Sequence, residues 1–338
     1  MSHREDEIIE SIRARFPNRL ATVGIGDDAA VFPFHGNLVV TNDMLVEGID
    51  FFSSMPIEFV AAKSLAANLS DLAAMGARPL AYLLALGVPK DRLGTIDAFL
   101  DALEERSTRY ELELVGGDLS AAESLIVSIA MFGRAGSRTL LRSGARRGDR
   151  IYVSRPIGGS AGGLALLEKG WVVASDGRVE PPASLRALGY AHRELAESLV
   201  RRQVDPEPEV ALGIALSEMT SVTSCIDLSD GLSTDLRRLC EASGVGAVVD
   251  GERLPIFPDL ARSGLALGID AEGAALHGGE DYALLFTSRS RESQLSEQLG
   301  RPVYAIGVVS EEKRIVIEKG GTLKPLESRG WDHFANDE

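Results

Sequence analysis

The chain is predicted to be an α/β (α+β) protein of two domains, on three observations. Apolar, strand-like runs alternate with segments of helical periodicity along most of the sequence. A basic, glycine-bearing stretch without periodicity, RSGARRGDR (142–150), interrupts the alternation near its middle. The length, 338 residues, also suits two domains at ~150 residues each.

The first sixteen residues are charged and helical in period. LVVTND (38–43) reads as a strand ending in polar residues. A helix over 58–75 follows, with Phe59, Ala62, Leu65, Ala66, Leu69, Leu72 and Ala73 at helical spacing. AYLLALGVP reads as a buried strand, 93–110 as a helix, and LELVGGD and LIVSIAMFG as two further strands. After the break come RIYVS, a glycine-rich helix entry over 158–167, and a polar region at 180–210 read as an exposed helical excursion. The strand SCIDLS, a helix over 231–242, and the strands VGAVVD, YALLFT, VYAIGVV and RIVIE complete the series. The division falls at 1–140 and 141–338.

Composition excludes several classes. Hydrophobic residues make up 45% and charged residues 25%, which fits a globular protein and not a disordered or fibrous one. Fifty acidic against 35 basic residues give a net charge of −15, opposed to binding a nucleic-acid backbone. The longest apolar stretch, 80–88, is far short of the ~20 residues that span a bilayer. The first sixteen residues carry no apolar signal core. Cys225 and Cys240 make no metal or redox spacing, and the five histidines are scattered, which disfavours zinc. A soluble, cytoplasmic protein is expected.

Aspartates recur at strand ends or beside glycines in GIGDDAAVF, TNDMLVEGID, NLSDLAAMGA, GGD, CIDLSDG and HGGEDY. Carboxylates so placed converge at one edge of a sheet, and hard oxygen ligands in that number suit Mg²⁺. Each motif also has a plain reading, since Asp-Asp after glycine caps helices and Ser-Asp-Gly makes turns. GIGDDA matches a dinucleotide fingerprint in letters, but Asp27 and Asp28 would face the pyrophosphate, so that match is rejected. No Walker-type phosphate loop exists. In the 58–75 helix, Asn68 and Asp71 share a face and Lys63 lies about two turns earlier, near it. Arg142 could pair bidentately with a phosphate or be a solvated linker charge. Trp331 could stack on a heteroaromatic ring or anchor the tail.

In their order, GIGDDAAVF, TNDMLVEGIDFF, KSLAANLSDLAAMGARPLA, VGGD, RSGARRGDRIYVS, GGSAGGL, IDLSDGLSTDL, GGEDYALLFT and GWDHF resemble the thiamine-monophosphate kinase family, part of the aminoimidazole-ribonucleotide synthetase superfamily. The resemblance implies two domains of that fold. The N-terminal one, 1–140, would bind metal and ATP and form a homodimer through its sheet. The C-terminal α/β one, 141–338, would complete the nucleotide and substrate site. It implies direct, Mg²⁺-assisted transfer from ATP to thiamine monophosphate, the last step of thiamine diphosphate biosynthesis, with no covalent nucleophile. Asp28, Thr41, Asn42, Asp43, Asp71, Asp118, Asp227 and Asp230 would contact several Mg²⁺ ions. Gly116, Gly117, Asp118, Arg142 and Ser229 would hold ATP, and Asp50, Glu280 and Trp331 the thiamine moiety. Three departures stand out: Asn42 replaces a usual threonine, GGDLSAAES lacks the usual Thr-Thr-Arg-Gly continuation after GGD, and Glu209 stands where the family carries arginine. Another ATP-using enzyme of the superfamily, or a non-catalytic nucleotide-binding regulator, is the alternative.

Overall fold

The computed structural model describes residues 4–17, 19–25, 29–31, 33–185 and 190–331. The N-terminal part runs α1 (Arg4–Arg15), β1 (Leu38–Val46), α2 (Ile57–Ala74), β2 (Ala77–Val88), α3 (Ile96–Arg109), β3 (Glu113–Ala121) and β4 (Ile126–Ala135). Its sheet has the order β1-β4-β2-β3, antiparallel except for the β2–β3 pair. Side chains alternate across it. Leu84, Leu86, Val127, Ile129 and Met131 are buried toward α2, whereas Leu38, Val40 and Met44 on the other face are exposed.

The C-terminal part begins with β5 (Arg150–Val153), α4 (Gly159–Glu168), β6 (Val172–Val173), β7 (Val179–Glu180), α5 (Tyr190–Val204), α6 (Val210–Glu218) and β8 (Val222–Asp227). It continues with α7 (Leu232–Ser243), β9 (Gly246–Asp250), α8 (Pro258–Leu267), α9 (Ala271–His277), β10 (Leu284–Ser288), α10 (Glu292–Leu299), β11 (Tyr304–Ser310), β12 (Ile315–Lys319) and β13 (Thr322–Pro325). Seven strands form one sheet in the order β13-β12-β9-β11-β5-β10-β8, with β6–β7 a separate ribbon. Both faces of its centre are buried, which is why β5 and β10 read as unbroken apolar runs. Tyr152 and Phe286 stack on one face at 5.2 Å between ring centroids. Ile151, Val153 and Leu285 pack on the other with Leu236 and Leu239 of α7.

Helix α2 joins the two halves. It packs on β1, β2 and β4 on one side and meets α5, α6 and β8 on the other. One hydrophobic core therefore runs from Leu84 and Ile129 through Leu65, Leu69 and Leu72 to Leu212, Leu216 and Phe286. A helix enclosed on nearly every side has no solvated face, so its polar residues Lys63, Ser64, Asn68 and Ser70 are buried too.

Two expectations change. The 180–210 region contains helix α5 as read, but it is not exposed. Ala196, Leu199, Val200 and Val204 are fully buried against α4 and α8, because a period of 3.6 gives this charged helix one apolar stripe. The carboxylates also do not line one sheet edge. Asp43 lies within β1, opposite Ile129, and Asp118 lies within β3, opposite Ala85. No helix among the described residues is long and apolar enough to cross a membrane.

Candidate active site

The site forms where α2 meets the end of β8. Strand alternation turns Thr41 and Asp43 toward α2 and Asn42 away from it. Thr41 Oγ1 donates to Asp71 Oδ2. One residue earlier on α2, Ser70 Oγ donates to Asp227 Oδ2 at 2.8 Å. The two hydroxyls thus hold two carboxylates, one from each half of the molecule, beside Asp43.

These carboxylates repel one another in a poorly solvated place. Burial first, and then the Asp71 charge, pushes Asp43 from 3.8 up to about 7. Burial also raises Asp71, against the opposing pull of the Thr41 hydrogen bond and the Arg142 guanidinium. Asp227 is raised strongly, by burial and then by Asp71, Asp235 and Asp43. Asp43 Oδ2 is buried and, among the described residues, accepts no hydrogen bond. An orphaned buried oxygen is uncommon, and a cation satisfies it. Among the described residues no three such side chains are yet grouped at ligating distance.

Behind Asp227 the chain turns sharply through 228–231. Gly231, at φ +105°, lies so near the His277 carbonyl that a Cβ would come within 2.7 Å of its oxygen. The turn is hydrogen-bonded to the GGEDY segment: Glu280 N donates to Ser229 O at 2.8 Å and Tyr282 N to Leu228 O at 2.9 Å. Glu280 and Tyr282 both adopt positive φ, +60° and +46°. Such strain costs about 1–3 kcal/mol per residue and concentrates at functional sites.

Asp230 Oδ2 accepts from Arg238 Nη1, which also donates to Asp235 Oδ1 at 2.9 Å. The C-terminal tail lies across the same turn, with Gly330 N donating to Thr234 Oγ1 at 3.0 Å and Trp331 N to Asp230 O at 3.2 Å. Trp331 is thereby held beside the Asp230 turn, 51% exposed. Asp50 Oδ2 accepts from Val46 N at 2.7 Å, while its carbonyl accepts from Lys63 Nζ at 3.0 Å. Lys63 Nζ in turn donates to Glu280 Oε2 at 2.8 Å.

Thr41, Asp43, Asp71, Asp227 and Arg142 therefore come together, with Ser229, Asp230, Asp50, Glu280 and Trp331 around them. Asn42, Gly116, Gly117 and Asp118 do not join them within this chain. They line a cavity of about 750 Å³ on the open side of the N-terminal sheet, next to Ser128 and Phe132. Gly117 is dictated by strand approach, since a Cβ there would sit 1.8 Å from the Leu84 carbonyl oxygen. Asp28, with Asp27, lies outside the described residues.

Several participants escaped sequence reasoning. Ser70, Asp235, Arg238 and the Lys63–Glu280 ion pair are all long-range or cooperative features. Lys63 did carry a signal: a lysine inside FVAAKSLAAN has small or apolar neighbours on every helical side. Ser233 Oγ and His277 Nδ1 stand 2.9 Å apart, a serine–histidine pair that the sequence did not reveal. Ser233 is buried and also accepts the Arg329 amide, so the pair anchors the tail. Glu209, where the resemblance implies an arginine, is buried at the start of α6 and pairs twice with Arg301, at 2.5 and 3.0 Å.

The chain matches two family models, the AIR synthase related protein N-terminal domain over residues 26–135 and the corresponding C-terminal domain over 146–320. Thiamine-monophosphate kinase of Escherichia coli K12 is 35% identical, over 96% of this chain and 98% of its own length. The crystal structure of thiamine-monophosphate kinase from Stenotrophomonas maltophilia K279a superimposes with a TM-score of 0.79 at 34% identity, covering 95% of this chain and 99% of that one. The AaThiL complex with AMPPCP and TMP superimposes with a TM-score of 0.75 at 28% identity, covering 99% of each chain.

Proposed function

The chain belongs to the thiamine-monophosphate kinase family, within the AIR synthase related proteins, and on that premise we propose how its own residues serve the reaction. The activity is transfer of the γ-phosphoryl group of ATP to the phosphate of thiamine monophosphate, giving thiamine diphosphate and ADP. The observation that carries the reading is the buried group Asp43, Asp71 and Asp227, which holds more negative charge than its surroundings can accommodate.

That donor set fits hard divalent cations: it supplies carboxylates and hydroxyls only, and among the described residues one of its buried oxygens lacks a partner. Thr41, Asp43, Asp71, Asp227 and Asp230 would hold Mg²⁺, which when bound supplies the positive charge that offsets two polyanionic substrates. The chain's own task is positioning. Arg142, close enough to Asp71 to shift its ionisation, would contact the nucleotide phosphates. The Ser229 turn would support ATP, and Asp50, Glu280 and Trp331 the thiamine end. No protein nucleophile is needed, because the acceptor phosphate already carries charged oxygens. The two thiols are unsuited to that role: both are buried, which raises Cys225 strongly and Cys240 to about 12.

The same reading covers Asn42, Asp118, Gly116 and Gly117. Their face of the sheet bears exposed Leu38, Val40 and Met44, and apolar exposure of this kind favours association with a second copy. A homodimer formed there, in the cytoplasm where ATP is available, is part of the proposal. So is the division of labour between residues 1–140 and 141–338.

The test is a coupled ADP-release assay with ATP, Mg²⁺ and thiamine monophosphate, with the product identified by chromatography. Equal amounts of ADP and thiamine diphosphate are expected. Nucleotide binding without turnover would point to a regulator, and ADP release only with other acceptors to another enzyme of the superfamily.

A further inference from the structure

Lys63 is 0% exposed and sits in the middle of α2. A buried ammonium is tolerated only when it is paired and hydrogen-bonded, because stripping its water otherwise costs several kcal/mol. Here it satisfies two needs at once. It donates to the Asp50 carbonyl in the N-terminal half, at 3.0 Å, and to Glu280 Oε2 in the C-terminal half, at 2.8 Å. Gln203 of α5 donates to the same Oε2 at 2.6 Å. Gln203 is itself held, since its Oε1 accepts from Ser160 Oγ. Both donors thus take one oxygen of Glu280, and among the described residues Oε1 accepts no hydrogen bond. Glu280 remains 28% exposed at the side chain, on a backbone in the left-handed region.

We propose that Lys63, seconded by Gln203, is a positioning residue that fixes the Glu280 carboxylate with Oε1 turned to the cleft and its charge offset. Glu280 then acts as a hydrogen-bond acceptor for a neutral N–H group, and the partner that suits it is the amino group of the substrate's pyrimidine rather than the thiazolium cation. The proposal rests on the reading of Glu280 as a contact for the thiamine end. It also explains how a carboxylate stays tolerable beside Asp43, Asp71 and Asp227: the neighbouring ammonium cancels the charge while leaving an acceptor in place. Because one lysine ties Asp50 to Glu280, it sets the two sides of the substrate end relative to each other.

The experiment compares Lys63→Met, Glu280→Gln and the double variant in steady-state kinetics. Each is assayed with thiamine monophosphate and with its 4-oxo analogue, which carries a carbonyl oxygen in place of the amino group. Lys63→Met is expected to raise KM for thiamine monophosphate about tenfold or more, the scale of a lost charge-assisted hydrogen bond. KM for ATP should change by no more than about twofold, and the preference for the amino substrate over the oxo analogue should shrink toward unity. Glu280→Gln should reduce the same preference, and the double variant should lose little beyond the larger single effect, since both act through one contact. If Lys63→Met fails to fold, Gln203→Met is expected to show the same selective change on a smaller scale. Equal rises in both KM values, or an intact preference in Lys63→Met beside a lost one in Glu280→Gln, would overturn the role of Lys63 alone. An intact preference in Glu280→Gln would instead remove Glu280 from the substrate site.

Discussion

The two faces of the N-terminal sheet use acidic and amide side chains in opposite ways. On the covered face, Asp43 meets Asp71 of α2 and, beyond it, Asp227 of β8, each short of water and near a like charge. On the open face, one residue away along β1, Asn42 accepts from Ser128 Oγ at 3.3 Å and shares an open cavity with Asp118. Neighbours in sequence thus belong to different environments because a strand turns successive side chains to opposite sides. The covered group concentrates mutual repulsion where water is scarce. The open group is solvated and is available to whatever docks against the sheet.

Substitutions on the two faces should separate these roles. The largest effect is expected for Asp71→Asn, which keeps the Thr41 contact available but removes the charge central to the covered group. Turnover should fall by about a hundredfold or more, the scale of losing a key electrostatic group, with circular dichroism unchanged. Near-normal rates at limiting Mg²⁺ would sink the metal-cluster mechanism.

A second variant, Asp43→Asn, should reveal the stability cost of the same group. Asp43 titrates in the folded protein at about 7 instead of 3.8. The native state therefore holds a proton that the unfolded chain has already released. Metal-free protein accordingly loses stability as the pH rises from about 4 to about 7. The asparagine variant lacks this loss, so with chelator present it should melt above the parent at pH 8, the gap closing near pH 4. A parent that melts higher at pH 8 than at pH 5 without metal, through a contribution that Asp43→Asn abolishes, would contradict the assignment. Exchange on the open face should matter least. Asn42→Thr, which restores the family's residue, keeps a side-chain oxygen in a solvated position, and kcat should stay within about twofold, the scale of surface changes. A tenfold change would mean that Asn42 touches the reacting groups.

Much of this molecule was legible beforehand. The strands and the long helix α2 follow from apolar periodicity, because burial on one or both faces writes itself directly into residue spacing. The charged residues of the covered group were also legible as types, since aspartates at strand ends or beside glycines recur in six motifs of one chain. Their partners were not. The hydroxyls of Thr41 and Ser70, the Arg238 bridge between Asp230 and Asp235, and the serving of Glu280 by Lys63 all join residues far apart in sequence. Glu209 shows the same limit from the other side: read only as standing where the family carries arginine, it is an ion-pair partner of Arg301 that ties α6 to the loop before β11.

By itself, then, the sequence determined the class of fold, the acidic character of the site and the absence of a phosphate-binding loop, because these depend on composition and local period. Only the tertiary structure decided which carboxylates meet. Strand alternation sets Asp43 against Asn42, and the wedging of α2 between two sheets buries Lys63 where a free helix would have solvated it. Burial strengthens every charge interaction it encloses, so the same aspartates that make the chain acidic become, where α2 meets β8, groups whose ionisation is opposed by burial and by one another.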